Sequence, residues 1–240
     1  MKAVILAAGK GSRISRVSQN KPKCLLPIEN TTLIGKSLKI FWSNGIKEIV
    51  IVTGYKSEVL EKYLYNEWPG EIKIVYNSKY ETTNVLYSFS LAVPYLIGHD
   101  FIFHHADTVF DGLILEQLIK FDPDKDIVFA VQQRDCGAEE MKVKVRKENI
   151  ISLSKEMPIN EAYGEFLGIA RIKGTQIENI NKATKIIFEH KTFQAFFELA
   201  IQYIIDKFKV EVKYMNVNKL PWCEIDFPED YEYAKKLFEI

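Results

Sequence analysis

The chain has no means of forming a disulfide framework. Its three cysteines, Cys24, Cys136 and Cys223, are odd in number, widely spaced and without a CxxC pair. They read as free thiols of a reducing cytoplasm. Net charge is absent as well, since Lys+Arg and Asp+Glu both number 32. That balance argues against nucleic acid or an anionic membrane as a partner, though it leaves room for a local basic site. No apolar run is long enough to span a bilayer, so membrane insertion is not expected. Met1-Lys2 leads straight into a strand-like segment, with no secretory h-region or cleavage site. Repeats, low-complexity tracts and a Pro/Gly/Ser linker are also missing. One domain over residues 1–240 is the expected organisation.

Core-forming residues are plentiful: 47% of the chain is hydrophobic and 12% aromatic. Short apolar runs alternate with helix-period segments through the first half. Strands are expected at Ala3–Ala8, Glu48–Thr53, Ile72–Tyr76, Asp100–His104 and Asp126–Val131. Between them, Thr32–Asn44, Lys56–Asn66, Thr83–Leu96 and Gly112–Phe121 carry helical spacing, with Thr83 as N-cap of the third. Strands buried between helices imply an α/β fold with a doubly wound, mostly parallel, Rossmann-like sheet. Beyond about residue 135 the rhythm becomes α+β. A short β pair (Met141–Val145, Asn149–Ser154), a strand (Phe166–Ile172), two helices (Gln176–His190, Thr192–Phe208), a strand (Val210–Val217) and a helix from Pro228 are expected. Lys142 and Lys144 alternate with valines and suggest a solvated strand face.

The stretch after the first strand, "LAAGKGSR", breaks a buried run with Gly9 and Gly11 and adds Arg13; "KPKCLLPI" then brings Lys23. Open parallel sheets bind ligands at the carboxyl ends of their strands, and glycines there let backbone N–H groups approach an anion. A dinucleotide fingerprint would need a third glycine where Ile14 stands, and a P-loop spacing is not met. A loop for a nucleoside triphosphate fits, with Arg13 clamping two oxygens and Lys23 acting as a point charge. Leu6, Ala7, Ala8, Gly9, Gly11 and Ser12, with Gly54 and Tyr55 after the second strand, are expected nucleotide contacts. Thr83 and Asn84, at a helix N-terminus, are expected to bind the nucleotide, although Thr83 could instead simply cap that helix.

The combined pair of motifs resembles the signature of the sugar-phosphate nucleotidylyltransferase superfamily, of GT-A-like fold. "YNSKYETTNVLYSFSLA", "AYGEFLGIARI" and "WCEIDFPEDYEYAKKL" are similar to its phosphocholine and phosphonate cytidylyltransferase branch. The resemblance implies transfer of a nucleoside monophosphate, CMP from CTP being favoured, to a small phosphorylated acceptor with release of pyrophosphate. A phosphomonoester is mostly dianionic at pH 7, and no Ser/His/Asp or Cys/His nucleophile pattern is present. The resemblance implies Mg²⁺ held by Asp107 and by Asp226 of "EID", although Ala106 stands where the family usually has glycine. It also places Lys155 against the acceptor phosphate. His104 and His105, two of four histidines, lack zinc-site spacing, and as strand neighbours they should face opposite ways.

A quaternary ammonium calls for aromatic faces and a carboxylate. Tyr87, Tyr163, Glu165, Trp222 and Glu224 are therefore expected to bind an acceptor such as phosphocholine or 2-aminoethylphosphonate. A sugar-1-phosphate or inositol-phosphate transferase is the alternative, and a regulatory nucleotide binder that has lost catalysis is the third reading. A homodimer is compatible with all three.

Overall fold

In the computed structural model, which describes residues 1–68 and 70–238, the central strand explains the rest. In β1 (Lys2–Ala7), Val4 and Leu6 face one way and Ala3, Ile5 and Ala7 the other, and all are buried. Such a strand needs cover on both sides. After it come a ribbon of β2 (Pro27–Ile28) and β3 (Thr31–Thr32), and α1 (Leu33–Ser43), capped by the Thr32 hydroxyl accepting from Gly35 N–H at 3.1 Å. Next are β4 (Glu48–Thr53), α2 (Ser57–Glu67), β5 (Ile72–Tyr76), α3 (Val85–Leu96) and β6 (Phe101–His105). The chain continues through β7 (Thr108–Phe110), α4 (Gly112–Lys120), β8 (Ile127–Gln133), β9 (Lys142–Arg146), β10 (Asn149–Ser154) and β11 (Gly164–Ile172). It ends with α5 (Ile177–Glu189), α6 (Phe197–Phe208), β12 (Val212–Asn216), β13 (Trp222–Glu224) and α7 (Pro228–Phe238).

A single nine-stranded sheet runs in the order β5-β4-β1-β6-β11-β8-β12-β10-β9. Its first four strands are parallel; β11 then enters antiparallel between β6 and β8. The α/β fold with a mostly parallel sheet and an α+β second half is thus the observed one. Helices α3, α5 and α6 cover one face, with Phe89, Phe103 and Phe197 packed ring to ring. Helices α1, α2 and α4 cover the other. Each fully buried phenylalanine contributes about 1.5–3 kcal/mol of transfer free energy. Among the described residues no helix is long and apolar enough to cross a membrane.

Three local expectations need correction. Helix α3 is capped by Asn84, whose side chain accepts from Val85 N–H at 2.8 Å, and not by Thr83, whose hydroxyl donates to the Lys79 carbonyl. Helix α6 begins at Phe197 rather than Thr192. The preceding segment is kept out of the helix because its Phe193 and Ala195 carbonyls accept from Asn84 N–H (3.0 Å) and Leu86 N–H (3.1 Å). These are donors that the start of α3 would otherwise leave unsatisfied. Finally, Lys142 is buried, with its ammonium donating to the carbonyls of Ala138, Glu140 and Lys155; only Lys144 behaves as a surface residue, paired with Glu161.

Candidate active site

The break after β1 follows from backbone geometry. Gly11 has φ +60°, and a Cβ added there would lie 3.0 Å from the Cβ of Lys23. Both the left-handed conformation and the close approach call for glycine. A Cβ at Gly9 would meet no protein atom within 4 Å, because Gly9 borders an open cleft. Ser12 opens a short 3₁₀ turn, Ser12–Ile14, anchored by buried Ile14, so Arg13 projects outward. Its guanidinium lies 3.2 Å from Glu139, 3.7 Å from Asp226 and 5.1 Å from the Phe227 ring centre.

Lys23 is held more tightly. Its Nζ sits 2.8 Å from both Asp107 Oδ2 and Asp226 Oδ1, with little of the side chain exposed. Burial opposes the lysine's charge, but the two carboxylates outweigh it and raise its pKa. Burial likewise opposes ionisation of Asp107, yet the Lys23 ammonium holds that carboxyl down at about 2.

These carboxylates meet because of a two-stranded ribbon. β7 and β13 pair antiparallel with Thr108 opposite Glu224, and Ile225 N–H donates to the Asp107 carbonyl at 3.1 Å. Glu224 thereby arrives beside Asp107. Burial, then the charges of Asp107 and Asp226, push its carboxyl up to about 8. His104 and His105 do face opposite ways: His104 is buried against Ser37 Oγ at 2.9 Å, whereas His105 borders the cleft. Ligand atoms of His105, Asp107 and Glu224 lie within 4.8 Å of one another, and His105 Nε2 is buried without a hydrogen-bond partner. The donor set fits a divalent cation. Asp226, the other expected ligand, stands beside this cluster on Lys23.

A cleft of about 290 Å³ opens over these groups. Of the expected nucleotide contacts, Leu6, Ala8, Gly9, Thr83 and Asn84 line it, as do Arg13, Lys155, Asp107, Glu224 and Asp226. Ala7 and Gly11 line a smaller recess with Lys23. Gly54 and Tyr55 stand behind the loop, where Tyr55 N–H donates to the Ala8 carbonyl at 3.0 Å and a Cβ on Gly54 would come within 2.6 Å of that oxygen. Lys155 follows β10, its Nζ 5.3 Å from the Phe196 ring centre, and its carbonyl is held by Lys142.

The five expected acceptor residues are not gathered together. Glu224 lines the cleft, while Trp222 and Glu165 line an adjoining groove of about 620 Å³ that shares Glu224 and Asp226 with it. The Trp222 indole donates to Gln132, and Glu165 lies 3.3 Å from Arg134. Burial drives the Glu165 carboxyl up to about 7, with Arg134 pulling against it. Tyr87 packs on Phe188 and Phe193, and Tyr163 on Tyr214, away from both spaces.

Sequence reasoning overlooked other walls of the cleft, including Tyr80, His105, Phe166, Phe196 and Glu198. Glu198, in the first turn of α6, is almost wholly buried, and its Oε2 has no hydrogen-bond partner. Of these residues, only His105 carried a sequence signal, its adjacency to the strand end before Asp107.

Known proteins are similar to this chain in sequence and fold. The CTP:phosphoglutamine cytidylyltransferase of Campylobacter jejuni is 28% identical over 97% of this chain and 98% of its own. The choline-phosphate cytidylyltransferase of Streptococcus pneumoniae is 30% identical over 58% of this chain and 57% of its own. Among solved structures, the inositol-1-phosphate CTP transferase from T. maritima superposes with a TM-score of 0.82 at 23% identity, covering 99% of this chain and 96% of that one. The MobA-like NTP transferase domain matches residues 3–173. With that match spanning the glycine loop, Lys23 and Asp107, the chain belongs to the MobA-like NTP transferase family and is an enzyme of the nucleotidyltransferase type.

Proposed function

We propose that the protein transfers CMP from CTP to a small phosphorylated acceptor with a positively charged end, such as phosphocholine or 2-aminoethylphosphonate. The observation that carries this reading is the convergence of Lys23, Asp107 and Asp226 beneath the open glycine loop. CTP as donor is supported by the activities named for the relatives from Campylobacter jejuni and Streptococcus pneumoniae.

An acceptor phosphate oxygen attacks the α-phosphorus, forming a new P–O bond. The bond from the α-phosphorus to the oxygen bridging to the β-phosphate breaks, and pyrophosphate leaves with that electron pair. No protein base is needed, because the acceptor phosphate is already mostly dianionic. The barrier is anion–anion repulsion and alignment, so fixed positive charge is the main requirement. Backbone N–H groups from Gly9 to Ser12 cradle the triphosphate. Arg13, tied to Glu139 by an exposed ion pair of little energetic worth and held more loosely by Asp226 and the Phe227 ring, swings onto its oxygens. Lys23 supplies a charge already locked in place, and Lys155 draws in the acceptor phosphate. Asp107, with Glu224, His105 and Asp226 beside it, would hold a divalent cation such as Mg²⁺, which supplies further positive charge at the reacting phosphates.

The test is pyrophosphate release with Mg²⁺, all four ribonucleoside triphosphates and an acceptor panel. The highest kcat/KM is expected for CTP with phosphocholine or 2-aminoethylphosphonate. Lys23→Met should lower it by about 100-fold or more, the loss typical for removing a preorganised charge from a transition state. Faster turnover of glucose 1-phosphate or inositol phosphate would replace the acceptor assignment. Absence of pyrophosphate with every pair would leave a nucleotide binder.

A further inference from the structure

Once the loop, the two basic residues, the carboxylate cluster and Lys155 have roles, one charged group in the cleft is left over. Glu198 has 2% of its surface exposed, lines the cleft, and has a buried Oε2 without a hydrogen-bond partner. Taking a carboxylate out of water without a partner is costly. A solvated surface residue or an ordinary helix-cap residue would not show that combination.

The placement of Glu198 is built rather than incidental. The Phe193–Ala195 segment is pinned to the start of α3 by two backbone hydrogen bonds, and Phe197 is stacked on Phe103 with ring centroids 4.0 Å apart. Glu198 is the next residue, so its backbone has little freedom. The same cleft is lined by Phe196, Phe166 and Met141, and the charges of His105 and Lys155 also act on the Glu198 carboxyl. The Phe196 ring, partly exposed, already has the Lys155 ammonium 5.3 Å from its centre, so it offers a face on which a cation can rest. Burial raises the pKa of this carboxyl, so an ammonium beside it would supply the charge that favours its ionised form. The aromatic rings of the same cleft suit that ammonium as well. This lining suits a hydroxyl-rich ring poorly, since such a ring needs donors and acceptors in number.

We infer that Glu198 is the seat of the acceptor's positively charged end, with the ammonium lying between its carboxylate and the Phe196 ring while the acceptor phosphate is drawn to Lys155. This rests on the nucleotidyl-transfer reading above and names what selects the acceptor. It moves that selection away from Trp222 and Glu165, which line the adjoining groove.

The experiment compares wild type, Glu198→Gln, Glu198→Asp and Phe196→Leu, with Mg²⁺ and CTP. Phosphocholine and 2-aminoethylphosphonate serve as cationic acceptors, and glucose 1-phosphate as an acceptor without a cation. Glu198→Gln should raise KM for both cationic acceptors at least about tenfold, as expected for loss of a charge-assisted contact. KM for CTP should change far less, Glu198→Asp should recover part of the loss, and Phe196→Leu should raise the same KM values. Calorimetric titration of phosphocholine into each protein gives a second readout that does not depend on turnover, with weaker binding expected for Glu198→Gln.

Unchanged acceptor KM and binding in Glu198→Gln would overturn the inference and identify Glu198 as a neutral buried acid. A parallel rise in KM for CTP would also overturn it, by making the residue a general support of the cleft. Wild-type turnover of glucose 1-phosphate alone would sink the ammonium seat while leaving nucleotidyl transfer standing. Absence of pyrophosphate with every acceptor would sink the reaction itself, and the calorimetric comparison would still decide the fate of Glu198.

Discussion

Glu165 shows how one side chain can make stability depend on pH. Its carboxyl is buried and titrates near 7 in the folded protein, against an ordinary value of 4.5. Between those two pH values the unfolded chain gives up a proton that the folded chain keeps. Stability therefore falls as pH rises from 4.5 to about 7 and is level above that. At about 1.4 kcal/mol per pKa unit, the loss is on the order of 3 kcal/mol. Glu165→Gln should abolish this slope, matching wild type near pH 4.5 and melting at a higher temperature at pH 8. Equal melting temperatures at pH 8 would mean that Arg134, at 3.3 Å, already neutralises the carboxylate. At this scale the charged motif residues were legible in the sequence, because cations near a glycine break have few other purposes. The aromatic residues were not: Tyr87 and Tyr163 found ring partners in the core, which an unaligned sequence does not reveal. Glu198 was hidden differently, as a charged residue in the first turn of an amphipathic helix, where acids are common.

At the level of elements, β11 departs from regular pairing where it passes the cleft. Its register with β8 shifts between Phe166 and Ala170, and Gly168 inside that bulge has φ +75°. A Cβ on Gly168 would come within 2.9 Å of His105 Nδ1. Gly168→Ala should therefore lose about 1–2 kcal/mol to the left-handed backbone alone, more from the displaced imidazole, and chemical denaturation would measure it. A fully stable variant would show that the bulge can shift without loss. Long strands and helices such as Glu48–Thr53 and α5 were readable because their periodicity extends over several residues. The β7–β13 ribbon was not, since three residues per strand are too few for a period to register. Nor was the start of α6, where backbone donors at the head of α3 compete for the same segment.

Across the whole molecule, the three cysteines lie in different places: Cys24 in the layer with α1 and α4, Cys223 under α7, and Cys136 in the loop after β8. All are buried, and burial pushes the Cys24 and Cys223 thiols up to about 12. A thiol reagent at neutral pH should accordingly label none in the native protein and all three in denaturant. Prompt labelling of one thiol without unfolding would show that its layer opens by itself. The overall architecture was legible because alternating buried strands and helices admit few arrangements. The antiparallel entry of β11 between β6 and β8 was not, as strand direction leaves no mark in a run of apolar residues.

The pairing of Thr108 with Glu224 also joins two segments that are synthesised at different times. A growing polypeptide can display the glycine loop and Asp107 before β8 to β12 exist, whereas Glu224 and Asp226 follow those strands. Until then Lys23 has a single carboxylate of its pair, so on the proposed reading a half-made molecule would hold a nucleotide without turning it over.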